Sequence, residues 1–170
     1  VQIPSAPLSG WSTAFRVIGF QLGGLVAAEG SFTTGRQGTY QDGSERRRFV
    51  FQVKMATRDR PLLEALRCFL GFGSINDQPS RRATWQPESA FTINSRRGHH
   101  LATIPFAEAF LLPSNKRAQF DTWRQDLLAY EAAHPTRYGL GPSSCKIEGC
   151  DLPVRGRGQC RRHYYRETGW

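Results

Sequence analysis

Two groups of residues in this chain have the types and spacing to do chemistry. The first is Cys145, Cys150, Cys160 and His163, in the pattern C-x4-C-x9-C-x2-H. Three thiols followed by an imidazole form the ligand set of a closed, tetrahedral Cys3His zinc site. Disulfides fit less well, because they leave one cysteine unpaired and give the histidine no purpose. Four protein ligands leave no open coordination position, so the expected zinc ion is structural. Residues 145–170 are too few to build a core, and metal binding has to supply their folding free energy. The segment holds six basic residues (Lys146, Arg155, Arg157, Arg161, Arg162, Arg166) against three acidic ones (Glu148, Asp151, Glu167). It reads as a small basic finger suited to contact with a polyanion. Cys68, on an apolar helix face, is expected in the core and not at a metal.

The second group is the run LGGLVAAEG over residues 22–30, which ends in Glu29 and Gly30. Phe15, Ile18, Leu22, Leu25 and Val26 keep helical spacing, and Gly19, Gly23 and Ala27 recur every four residues. Each interior glycine costs a helix about 0.8–1 kcal/mol relative to alanine, so close approach of a second backbone is expected in compensation. An acid at the end of a buried small-residue helix is costly unless it has a task. The glycines alone also fit an ordinary buried helix.

This run resembles the LAGLIDADG motif of homing endonucleases. Leu22, Gly24, Leu25, Ala28, Glu29 and Gly30 match the motif, and Gly23 and Val26 are mild variants. Ala27 departs from it, since the family usually has aspartate there. The resemblance covers about residues 12–131 and implies an α+β fold of αββαββα order, with an antiparallel, saddle-shaped sheet over DNA. It also implies a homodimer joined through the motif helix, with Gly19, Leu22, Gly23, Val26 and Ala27 at the interface. Glu29 from each subunit would then hold Mg2+ or Mn2+, and both strands of a long, near-palindromic duplex would be hydrolysed. The segment 111–117 is similar to the family stretch that places a basic residue near the scissile phosphate. Lys116 is the candidate for that role, and Arg117 is assigned to the DNA backbone. A basic helix N-terminus with no chemical role fits the same residues. After Lys54 the family often has polar residues that hold water around the metals. Met55 and Ala56 occupy part of that stretch here, leaving Thr57, Arg58 and Arg60 as substitutes.

The elements needed to position these groups can be read from patterning. A helix runs from about Ser12 to Ala28, followed by a hairpin of strands 31–40 and 46–57 that turns at Gln41-Asp42-Gly43-Ser44. Alternation sends Phe49, Phe51, Val53 and Met55 to one face, and Arg48, Val50, Gln52 and Lys54 to the other. Asp59 is the expected cap of a helix with Pro61 in its first turn and Leu62, Leu63, Leu66, Phe69 and Leu70 on its apolar face, stopped at Gly71. A second hairpin pairs 73–78 with 83–94 through a basic connection, Pro79-Ser80-Arg81-Arg82. Helices from Ser95 to Ile104 and from Asn115 to Glu131 complete the domain, punctuated by Pro105 and Pro113. The polar sheet face offers Thr33, Arg48, Gln52, Lys54, Ser74, Asn76, Gln78, Thr92 and Asn94 for groove reading. Each of these, taken singly, also fits a solvated sheet residue.

The expected organisation is a lead-in over 1–11, an endonuclease domain over 12–134, a linker over 135–144 and a zinc module over 145–170. In composition, 23 Lys and Arg against 14 Asp and Glu give a net charge of +9, which favours a polyanionic partner such as double-stranded DNA. The basic residues are spread in clusters (Arg46–Arg48, Arg81-Arg82, Arg96-Arg97, Arg161-Arg162), as on a folded surface. No run of 18 apolar residues and no signal peptide is present, so no membrane contact is expected and the reading is cytoplasmic and nucleoid-associated. Two other functions remain open: a DNA-binding regulator that keeps the fold without cutting, and an RNA-binding intron maturase.

Overall fold

The computed structural model describes residues 12–40, 43–80, 84, 86–134, 145–148, 150, 154–156, 159–160 and 162–163. The chain divides into two compact units, Val1–Leu127 and Leu128–Trp170. The lead-in up to Trp11 and the 135–144 linker expected from sequence lie outside the described residues.

The first helix, α1, spans Thr13–Glu29, and Ser12 caps it by accepting a hydrogen bond from the Phe15 N–H. It ends at Gly30, where the chain turns directly into strand β1 (Gly30–Thr39). A side chain at Gly30 would run into the Val26 carbonyl, so the tight exit requires glycine. Strand β2 (Glu45–Ala56) returns antiparallel to β1, with Gly43 at φ +80 in the turn. A 3-10 turn (Thr57–Asp59) leads into α2 (Arg60–Leu70), which stops where Gly71 adopts φ +69 and gives its N–H to the Arg67 carbonyl. Then come β3 (Ser74–Gln78) and β4 (Glu88–Ile93). The turn α3 (Arg96–Gly98), a π-helical turn (His99–Thr103), α4 (Ile104–Phe110) and α5 (Asn115–Ala133) follow. The four strands form one antiparallel sheet in the order β1-β2-β4-β3.

The apolar half of each alternating strand faces the helices. Phe32, Phe49, Phe51, Val53, Phe91 and Ile93 are buried, as are Leu63, Leu66 and Leu70 of α2, Phe106 and Phe110 of α4, and Phe120, Trp123 and Leu127 of α5. Fully burying one such side chain contributes about 1.5–3 kcal/mol, which makes this face the main source of cohesion. β1 lies at the sheet edge and would leave carbonyls unpaired. Side chains of α5 cover three of them: Lys116 donates to Gly30, Gln119 to Phe32 and the Trp123 indole to Thr33.

Several sequence expectations are corrected. Asp59 precedes α2 but makes no side-chain cap bond, and its carboxylate instead lies 3.6 Å from Arg58. Leu62 is 47% exposed and Cys68 is exposed, because the buried stripe of α2 runs through Leu63, Leu66, Phe69 and Leu70. Strand β4 starts at Glu88, not at Ala83. Pro87, with no N–H to give the ladder, stands just before it. Pro105 does not end a helix but sits in the first turn of α4, where no N–H is required of it, after the π-helical turn.

Candidate nucleic-acid interface and metal centre

Strand register gathers the expected groove-reading residues on one sheet face. Ser31, Gln52, Thr92 and Ser74 form a row across all four strands, and the Gln52 amide donates to the Thr92 hydroxyl at 3.1 Å. Next to that row, Lys54 and Asn76 flank Ala90, and Gln78 pairs with Glu88. On the other side, Thr33 opposes Val50 and Gly35 opposes Arg48. Asn94 lies one residue past the end of β4 and is exposed. Donors and acceptors therefore line up at strand spacing on a surface with its hydrophobic partners behind it. Ser31 completes the first row and was missed because its strand was read from patterning without a register. Arg81 and Arg82 lie outside the described residues.

Glu29 is exposed at the last residue of α1, not buried. Lys116 comes to the same place from α5: its Nζ donates to the Gly30 carbonyl at 2.6 Å and to Gln119 Oε1 at 3.0 Å. An ammonium far away in sequence thus reaches the residue that follows Glu29, where the helix passes into the sheet. Arg117 does not join them. Its guanidinium donates to the carbonyls of Ala107, Glu108 and Leu111 at 3.1–3.4 Å and to Asp121 at 3.1 Å. It caps the C-terminal end of α4, where a cation is favoured, which gives it a structural task.

The substitutes expected after Lys54 are also occupied. Arg60 holds Asp77 at 3.1 Å and pairs with Glu64, while the fully buried Ser89 donates to Asp77 at 2.7 Å and lies 3.2 Å from the Thr57 hydroxyl. The Ser89 bond, with Arg60 adding to it, holds the Asp77 carboxyl below its ordinary range. This network ties β3 and β4 to the entry of α2.

The flank of α1 assigned to an interface is also corrected. Gly19, Leu22, Gly23 and Val26 are buried within their own chain. A Cβ on Gly19 would strike the Phe110 ring, and one on Gly23 the Phe110 carbonyl oxygen. The close backbone that the glycines accommodate is therefore α4 of the same chain. The other flank is open. Val17, Ile18, Gln21, Gly24, Ala28 and Glu29 are exposed, Leu25 and Ala27 are half-buried, and nothing lies within 4 Å of a Cβ placed on Gly24.

In the second unit, Cys145, Cys150, Cys160 and His163 place their ligand atoms within 4.8 Å of one another. The Cys150 and Cys160 sulfurs are 3.8 Å apart, and His163 Nδ1 lies 3.2 Å from Cys145 and 3.4 Å from Cys160. Tetrahedral zinc, at about 2.3 Å from sulfur and 2.0–2.1 Å from nitrogen, sets ligand atoms about 3.5–3.8 Å apart. The cysteines are free, and a disulfide needs sulfurs at about 2.05 Å. Burial pushes the Cys145 thiol up, but hydrogen bonds from the backbone at Cys160 and Ile147, and from His163 and Cys160, outweigh it and hold the thiol down at about 6. A short pair of strands, β5 (Val154–Gly156) and β6 (Gln159–Cys160), carries the third cysteine. The cluster could hold a metal ion, and it is the one such group among the described residues.

An antiparallel sheet with one polar face, backed by helices and entered from a small-residue helix that ends in an acid, is an α+β fold of αββαββα order. The chain belongs to the LAGLIDADG endonuclease family, whose sequence pattern matches residues 22–127. It is similar to the meganuclease I-SmaMI, solved bound to uncleavable DNA, with 27% identity and a TM-score of 0.59 over 72% of this chain. The fold is also that of the homing endonuclease I-TnaI, at 24% identity and a TM-score of 0.57 over 68% of this chain. A further match is the LAGLIDADG homing endonuclease I-LtrWI, solved bound to target DNA, at 19% identity and a TM-score of 0.58 over 76% of this chain. The chain spans 40% of the length of I-SmaMI and of I-LtrWI, and 74% of that of I-TnaI. No curated protein matches it. Among the described residues, no helix is long and apolar enough to cross a membrane.

Proposed function

We propose that this chain is one half of a site-specific, metal-dependent DNA endonuclease, acting as a homodimer on a long, near-palindromic duplex. The observation that carries the reading is that Lys116 binds the Gly30 carbonyl, one residue past the exposed Glu29 at the end of α1. The motif helix of one chain ends in one acid, Glu29, and in this reading a second copy brings a second acid beside it. The exposed flank of α1, through Val17, Gln21, Gly24 and Ala28, is the surface for that pairing. Its small residues let two helices approach closely. Twofold symmetry of the protein implies a near-palindromic site.

The acceptor oxygens of Glu29 suit a hard cation, and Mg2+ or Mn2+ bound by them would activate water and offset charge on the phosphate. Lys116 neutralises charge on the same phosphate. Gln52, Lys54, Asn76 and their neighbours read base edges, while Arg48 addresses the backbone or guanine. At the Cys3His cluster the thiolate-rich donor set favours zinc, with a structural task and a net basic surface that lengthens the footprint. The natural setting is intracellular and DNA-associated.

Supercoiled plasmid carrying a site selected from a randomised library, incubated with Mg2+ or Mn2+, tests this reading. Wild-type protein should linearise it, and Glu29→Gln should bind it but leave it intact. Tight binding by the wild type with no nicking in either metal would instead support a non-cleaving regulator, which the half-buried Met55 and Ala56 favour because neither can hold water near the metals.

A further inference from the structure

Lys116 is not simply near the end of α1; it is aimed. An ammonium has three N–H donors. Two are given to acceptors within the chain, the Gly30 carbonyl and Gln119 Oε1, which leaves one for a phosphate oxygen. Gln119 is itself oriented, because its Nε2 donates to the Phe32 carbonyl at 3.4 Å. A carbonyl demands the donor end of the amide, and an ammonium demands the acceptor end. The amide therefore has one satisfied orientation, and a flip would set N–H against N–H on one side and oxygen against oxygen on the other.

We propose that Gln119 is a positioning residue for strand cleavage, holding the Lys116 ammonium at the Glu29 end of α1 so that its remaining N–H meets the scissile phosphate. The proposal rests on the reading of Lys116 as the cation at that phosphate. Gln119 touches neither metal nor DNA in this role and acts through Lys116. Methionine at 119 keeps the length and flexibility of the side chain but has no amide. Glutamate keeps an acceptor for Lys116, draws the ammonium into an ion pair and places a carboxylate oxygen against the Phe32 carbonyl.

The test uses the full chain under single-turnover conditions, with a duplex selected by the wild-type protein from a randomised library. Gln119→Met and Gln119→Glu should slow cleavage of the bound duplex by about tenfold to a hundredfold. The Kd measured without divalent cation should stay within about twofold for Gln119→Met, since no charge is removed. In a Lys116→Met background, Gln119→Met should cost nothing further, because the residue acts through the lysine. A purely structural role would lower thermal stability and weaken binding while leaving the rate per bound complex unchanged, and that result overturns the proposal. So do independent, multiplying losses in the double variant. If Lys116→Met cleaves at the wild-type rate, or the wild type is inert, the reading of Lys116 falls as well. Slow Lys116→Met with full-rate Gln119 variants removes only the role of Gln119.

Discussion

The two units of this chain differ in what builds them and in what each would ask of a metal ion. In Val1–Leu127 a core of phenylalanines and leucines builds the fold, and metal is needed only for the proposed chemistry at Glu29. In Leu128–Trp170 the buried Cys145 and Cys160 stand where a core would be, and metal binding supplies the proposed folding free energy. One unit exposes a carboxylate at which the proposed second copy would complete a site; the other gathers four residues that could hold a metal ion. The proposed metals differ accordingly, one for reaction and one for building the fold.

Removing metal should break the comparison apart most visibly. A strong chelator forfeits about 10–16 kcal/mol of zinc binding in a site of this type, so hydrogen exchange should show the Cys3His module unprotected while the sheet unit stays protected. Cys160→Ser should do the same and lower the zinc content from one ion per chain to none. Simultaneous unfolding of both units would erase the distinction. Within the sheet unit, Gly23→Ala should lower stability by about 3 kcal/mol in urea denaturation of dilute protein, because the new methyl meets the Phe110 carbonyl. Gly24→Ala, one residue along on the open flank, should leave the isolated chain unharmed or up to about 1 kcal/mol more stable. Arg117→Ala should cost about 2 kcal/mol, since three carbonyls at the end of α4 lose their charged donor, with little effect on salt-dependent DNA binding. The smallest effect is expected from Lys54→Ala: stability unchanged, and the slope of log binding constant against log salt reduced by about 0.9 for each phosphate that the lysine had neutralised.

How far the sequence could be read depends on what kind of physics set each feature. Alternation in β2 placed Phe49, Phe51 and Val53 inside and Arg48, Gln52 and Lys54 outside, because a period of two leaves no third choice. The motif singled out Glu29 and a family-like segment singled out Lys116, which the fold brings to the Gly30 carbonyl at the end of the same helix. The small-residue stripe of α1 was legible as a close-packing surface, yet its partner was not. Gly19 and Gly23 fit α4 of the same chain, a pairing of segments distant in sequence that no local pattern encodes. The neighbouring stripe through Gly24 and Ala28 carries the same residue types, so composition could not say which faces inward. Arg117 misled for a related reason. A basic residue beside a catalytic candidate looks like a DNA-binding group until the carbonyls at the end of α4 and the Asp121 carboxylate are seen to engage it. Register across four strands, which brought Ser31 into line with Gln52, Thr92 and Ser74, likewise needed the sheet order.

The central claim is that one chain holds half of a cleavage site and pairs through the open flank of α1. The most direct measurement follows double-strand cleavage and sedimentation of the DNA complex together, for wild type and Gly24→Leu. Cleavage by the wild type should rise only where two chains occupy the duplex. In Gly24→Leu both the assembly and the cutting should require about tenfold to a hundredfold more protein, as overpacking of about 1–3 kcal/mol implies. Full-rate cutting of both strands by a complex that sediments with a single chain would contradict the account.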